Sequence, residues 1–117
     1  MTVKRIVTNI AGADFAATKQ FYGAVLGFEI VMDLGWITTF AAPNASVTPQ
    51  ISVASEGGSG TPVPDISIEV DDLDEMHKRM TAAGLPPEYG PVSEPWGIRR
   101  FYVRDPLGRL VNIVEHI

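Results

Sequence analysis

Trp96-Gly97-Ile98-Arg99-Arg100-Phe101-Tyr102-Val103-Arg104-Asp105-Pro106-Leu107-Gly108-Arg109-Leu110-Val111-Asn112-Ile113-Val114-Glu115-His116-Ile117 reads as a strand, a tight turn and a second strand. Asp105-Pro106-Leu107-Gly108 fits a four-residue turn, with Asp first, Pro preset for the second position and Gly last. On either side apolar and polar residues alternate, the period of a half-buried strand. One face takes Phe101, Val103, Val111 and Ile113. The other takes Arg100, Tyr102, Arg104, Leu110, Asn112 and Val114. The second set is too polar for an ordinary sheet interior and too apolar for open water, a mixture that suits a cavity wall.

Working back from that hairpin, the same kinds of element occur twice. Residues 3–11 read as a strand. Asp14 is a good N-cap for a helix over 15–26, and Gly27 a good stop. Phe15, Thr18, Phe21, Tyr22, Val25 and Leu26 give that helix an apolar stripe. Strands are expected at 28–32, 36–41 and 48–54, separated by turn signals at 33–35 and 43–46. Residues 55–64, rich in Gly and Pro, read as a flexible linker. A strand at 65–70 follows. Asp72 then caps a second helix, with Glu75 placed as in a capping box. Leu73, Met76, Met80 and Ala83 form its stripe, and Gly84 ends it. A short strand at 88–92 and the hairpin complete the set. The two capping aspartates stand almost half a chain length apart, so each half reads strand, helix, three strands. The expected fold class is α+β, one domain of two βαβββ modules. Module 1 covers about 1–55, the linker 55–64 and module 2 about 65–117. Such a module covers one sheet face with its helix and leaves the other for a partner module.

The motifs resemble a known group. The run W-G-x-R-x-F-x-x-x-D-P-x-G into a final strand, with F-Y-x-x-x-L-G-F at Phe21-Tyr22 to Leu26-Gly27-Phe28, is similar to the vicinal oxygen chelate superfamily. That group holds glyoxalase I, extradiol dioxygenases, and fosfomycin- and bleomycin-resistance proteins. The Trp-Gly and Arg-Asp-Pro pieces look most like the bleomycin-resistance branch. The resemblance implies curled sheets around a common cavity, and a homodimer. In metal-using members, ligands occupy strand positions that fall here on Val7, Gln50, Asp65 and Asn112. Valine offers no donor, amides bind such ions poorly, and one carboxylate cannot hold a transition metal alone. No metal and no cofactor are therefore expected.

Composition narrows the field further. With 45% apolar and 20% charged residues this is an ordinary globular composition. A net charge of −5 suggests no nucleic-acid partner. The absence of cysteine removes thiolate chemistry and fits a reducing compartment. The opening Met1-Thr2-Val3-Lys4-Arg5 leads into no uninterrupted apolar stretch, so neither signal peptide nor membrane partner is expected, and cytoplasm is the default.

Alternation nominates Val7, Asn9, Gln50, Asp65, Ser67, Glu69, Arg100, Tyr102, Asn112 and Val114 as cavity lining, with Trp36, Phe40 and Trp96 as flat surfaces near its mouth. The function expected is metal-independent sequestration of a small-molecule ligand, of the antibiotic-resistance type. One alternative is metal-free proton transfer by Asp65 or Glu69, with Tyr102 or Arg100 as oxyanion partner. Another is a metal-dependent lyase or dioxygenase with its ligands in a different register. Asp65 and Glu69, four apart on one strand, lie about 13 Å from each other, too far for a glycosidase pair. Of the two histidines, His77 reads as a solvated residue on the polar side of its helix. His116 reads as a frayed end, a ligand contact or a pH-sensitive rim.

Overall fold

The computed structural model describes residues 1–43 and 49–117. The elements run β1 (Val3–Ala11), α1 (Phe15–Thr18) with a π-helical continuation over Lys19–Val25, β2 (Glu29–Asp33), β3 (Ile37–Ala41), β4 (Gln50–Ala54), β5 (Ile66–Val70), α2 (Leu73–Ala82), β6 (Tyr89–Glu94), β7 (Ile98–Arg104) and β8 (Leu110–His116). Strand, helix and three strands thus occur twice, an α+β architecture. Residues 44–46 of the turn expected at 43–46 and the start of the strand expected at 48 lie outside the described residues.

Two compact units divide the chain: Val7–Val63, and Met1–Ile6 with Pro64–Ile117. In the first, the strand order is β2-β3-β4-β1. β1 pairs with β4 in parallel, with Asn9 beside Ser52, and β3 pairs antiparallel with β4, with Thr39 beside Ser52. Asp14 caps its helix as expected, accepting from the Ala17 N–H at 3.0 Å. The regular α-helix then gives way to wider turns, with the Leu26 N–H donating to the Phe21 carbonyl five residues back. Wider turns rotate side chains away from the 3.6-residue stripe. Tyr22 stays packed on Phe28 and Phe40, but Phe21, Val25 and Leu26 are exposed rather than buried.

The segment read as a flexible linker is instead locally hydrogen-bonded. Gly57 N–H donates to the Thr61 carbonyl at 2.8 Å, Gly60 N–H to Glu56 Oε1 at 3.0 Å, and Gly57 and Gly58 are buried. Glycine at Gly58 and Gly60 supplies the positive φ that these turns require.

In the second unit the order is β1-β5-β8-β7-β6, with Val3–Ile6 of β1 at one edge. Asp72 Oδ1 accepts from the Glu75 N–H at 3.0 Å, starting α2. Glu75 does not complete the capping box; its carboxylate turns to Arg79 at 3.3 Å. Leu73, Met76 and Met80 lay the helix on Val70, Phe101, Val103, Val111 and Ile113. Ala83 falls at the C-cap and is exposed. His77 is also half-buried, its ring 5.5 Å from that of Phe101, so it is not the solvated residue expected. β6 runs two residues beyond the strand expected at 88–92, to Glu94.

Candidate functional site

The hairpin registers as its alternation demands: Arg100 opposite Val114, Tyr102 opposite Asn112, Arg104 opposite Leu110. In the parallel pair beside it, Ser67 lies against Asn112 and Glu69 against Val114. Phe101, Val103, Val111 and Ile113 face α2, so these other residues share the sheet face turned away from the helix. The face belongs wholly to the second unit and is unusually polar for one whose central residues Arg100, Tyr102, Asn112 and Val114 are all buried.

Arg100 forms its centre. The guanidinium lies 4.9 Å from the centroid of Tyr102, 5.1 Å from Trp96 and 5.5 Å from Tyr89. Three ring faces directed at one cation replace some of the hydration it loses on burial. Arg100 Nη2 also donates to Glu94 Oε2 at 3.1 Å, and the Tyr89 hydroxyl donates to Glu94 Oε1 at 2.8 Å. Tyr89 and Tyr102 pack ring to ring at 5.3 Å. The Arg100 charge is therefore already matched inside the protein. This corrects the reading of Arg100 as an oxyanion partner. Glu94 escaped sequence reasoning because the strand seemed to end at 92.

Asn112 is 6% exposed. Its Nδ2 donates to Ser67 Oγ at 3.1 Å, while Oδ1 has no hydrogen-bond partner among the described residues. Turning the amide over would hand Oδ1 to the Ser67 hydroxyl and leave Nδ2 open. Either way one polar end of a buried amide remains for something else, beside the Tyr102 ring.

The carboxylates sit differently from the expectation of a buried base. Asp65 is exposed and ties β5 to β8, its Oδ2 accepting from the Leu110 N–H at 3.1 Å. Glu69 is 13% exposed with both oxygens engaged: Oε1 accepts from Arg5 Nε at 2.8 Å, and Oε2 lies 2.6 Å from His116 Nδ1. Arg104 pairs with Glu88 at 2.7 Å at the outer end, and that hydrogen bond holds the guanidinium pKa above its ordinary value.

Val7, Asn9, Trp36, Phe40 and Gln50 lie in the other unit. There Phe40 is fully buried against Tyr22, on the helix side of its sheet, and it is a core residue rather than a flat surface near a cavity mouth. The opposite side carries Asn9, Gln50, Ser52 and Thr39, with Thr39 Oγ1 and Ser52 Oγ 2.6 Å apart. Neither hydroxyl is among the residues that alternation nominates, though Ser52 lies two residues from Gln50 on the same strand.

For metal chemistry the donor set does not fit. Asn112 supplies a single amide oxygen and Asp65 a carboxylate that already accepts from a backbone N–H. Among the described residues no three His, Asp or Glu side chains lie together in a way that could hold a metal ion. No helix among them is long and apolar enough to cross a membrane.

A family model described as the Glyoxalase/Bleomycin resistance protein/Dioxygenase superfamily matches residues 4–113. Among solved structures, a Legionella pneumophila protein described as an NAD-dependent benzaldehyde dehydrogenase has TM-score 0.75 at 14% identity, covering 97% of this chain and 100% of that one. Methylmalonyl-CoA epimerase from Streptomyces coelicolor has TM-score 0.71 at 20% identity, covering 98% and 96%. A glyoxalase/bleomycin resistance protein/dioxygenase superfamily member from Vibrio splendidus has TM-score 0.65 at 19% identity, covering 99% and 100%. At these identities the likeness is one of fold. No curated protein matches the chain.

Proposed function

We propose that this chain, which belongs to the Glyoxalase/Bleomycin resistance protein/Dioxygenase superfamily, is a metal-independent small-molecule binding protein of the sequestration type. The observation that carries the reading is the buried Asn112 amide with one polar end open, set beside the aromatic cluster around Arg100. Unmet hydrogen-bonding capacity in a buried amide costs about 1–3 kcal/mol, which a ligand polar group would recover. Trp96, half-buried, gives a flat surface for an aromatic ring, while Tyr102 is buried against the Arg100 guanidinium and the Tyr89 ring. The ligand class is a flat, polar-edged aromatic compound, neutral or amine-bearing. The exposed apolar residues Phe21, Val25, Leu26, Ile30 and Val31 are consistent with a homodimer, to be tested by light scattering.

The binding reading is tested by calorimetric titration of the protein, in EDTA, with a panel of heteroaromatic compounds that includes glycopeptide antibiotics. Binding that survives chelation, leaves the compound chemically unchanged and weakens at least tenfold in Asn112→Ala supports it. Binding that requires an added divalent ion overturns it.

A further inference from the structure

One cluster of titratable groups lies outside the Arg100 centre. Arg5 on β1, Glu69 on β5 and His116 on β8 form a chain of contacts across three neighbouring strands of the second unit. Glu69 is the middle member, and Arg5 Nε and His116 Nδ1 occupy its two oxygens. The His116 side chain is 47% exposed, and among the described residues its Nε2 makes no hydrogen bond.

The order of contacts fixes the imidazole. An ionised carboxylate can only accept, so His116 Nδ1 must carry the proton that it shares with Glu69. In the neutral ring the lone pair is then on Nε2, the nitrogen that Glu69 does not hold. Arg5 prevents Glu69 from rotating away, because its Nε–H holds the other oxygen at 2.8 Å. A carboxylate that orients a histidine, itself oriented by a third group, is the arrangement by which proteins present a nitrogen base to a substrate. His116 shares the sheet face of Asn112 and lies four residues along the same strand, about 13 Å away.

We propose that His116 is a proton-transfer residue, with Glu69 and Arg5 as its positioning residues, acting on a small molecule that bears an acidic O–H or C–H beside a carbonyl. In the step, Nε2 takes that proton. The electron pair stays on the ligand as an enolate or alkoxide, and the new imidazolium faces the Glu69 carboxylate. The proton returns to another atom of the ligand or passes to water, so neither oxidant nor reductant is required. This activity is separable from binding at Asn112, and failure of either leaves the other standing.

The test uses the intact chain and diethyl pyrocarbonate, whose carbonyl carbon is attacked by an unprotonated imidazole nitrogen with loss of ethyl carbonate. His77 is the only other histidine and serves as an internal reference in mass-spectrometric mapping. In Glu69→Gln, Arg5 keeps the amide oxygen and the amide NH2 turns to His116. Nδ1 then becomes the acceptor and the proton moves to Nε2. His116 modification should slow severalfold, because the nitrogen left without a proton is then the one held by the amide, with His77 unaffected. Adding Arg5→Met frees the amide to turn and should restore part of the rate, which a merely structural role would not do. Nitrogen-15 spectra of the unmodified protein should show neutral His116 protonated on Nδ1. An Nε2-protonated ring in that spectrum, or an unchanged modification rate in Glu69→Gln, overturns the proposal.

Discussion

Arg100 Nη2 lies 3.1 Å from Glu94 Oε2, with both side chains only 3% exposed. Such a pair stabilises little when intact, because desolvation offsets attraction, but breaking it leaves a buried charge. Glu94→Ala should therefore cost about 3–5 kcal/mol in urea unfolding. The double substitution Arg100→Met/Glu94→Leu should cost much less than Glu94→Ala alone. A double variant as unstable as the single would mean that the pair contributes through something other than charge matching.

Phe101 is fully buried under α2 with Val70, Leu73 and Ile113, and its ring also meets His77. Phe101→Ala should lose about 3–5 kcal/mol of stability, read from the denaturant midpoint with an unchanged slope. Phe21→Ala removes an equally large side chain from an exposed site and should change stability by no more than about 0.5 kcal/mol.

Gly90 tests how closely β6 approaches β7. A Cβ built there would stand 2.5 Å from the Arg100 carbonyl oxygen and 3.2 Å from Phe101 Cα, and the residue has φ of +77°. Neither backbone atom can step aside cheaply. Gly90→Ala should destabilise by more than the ~1 kcal/mol of an ordinary left-handed position, and should shift the Tyr89 and Tyr102 ring resonances. Gly84→Ala, with a similar φ but nothing within 4 Å, is the control and should show only the conformational cost.

Asp71 accepts the Thr2 backbone N–H at 2.8 Å, and that bond lowers its pKa below the ordinary 3.8. A carboxyl depressed on folding adds stability above its unfolded pKa and loses it as the pH falls through the folded value. Wild type should therefore exceed Asp71→Asn in stability at neutral pH. The gap should close as the solution is acidified below about pH 4, since only the ionised form gains from the bond. A gap constant across that range would show that the Asp71 charge plays no part in holding the start of β1.

The fold was legible wherever chemistry is local. Asp14 and Asp72 announced helix starts because a capping carboxylate acts within three residues. Asp105-Pro106-Leu107-Gly108 announced its turn because Asp105 secures the Leu107 and Arg109 N–H groups within the loop itself. Alternation assigned the two faces of β7 and β8, because a period of two leaves no freedom once the register is set. The widened turns after Thr18 were not legible: no residue type demands them, and Phe21, Val25 and Leu26 fit an α-helical stripe equally well.

Sequence by itself determined the repeat of strand, helix and three strands, the polar character of one face of the last hairpin, and the lack of any imidazole beside the single carboxylate, Asp65, at the expected metal positions. Only the tertiary structure decided which charges on that face were already matched. Glu94 reaches Arg100 across a hairpin, and Glu69 meets Arg5 and His116 from far along the chain. Whether a charged side chain is free or satisfied depends on partners brought close by strand pairing, and a linear pattern carries no distance between strands.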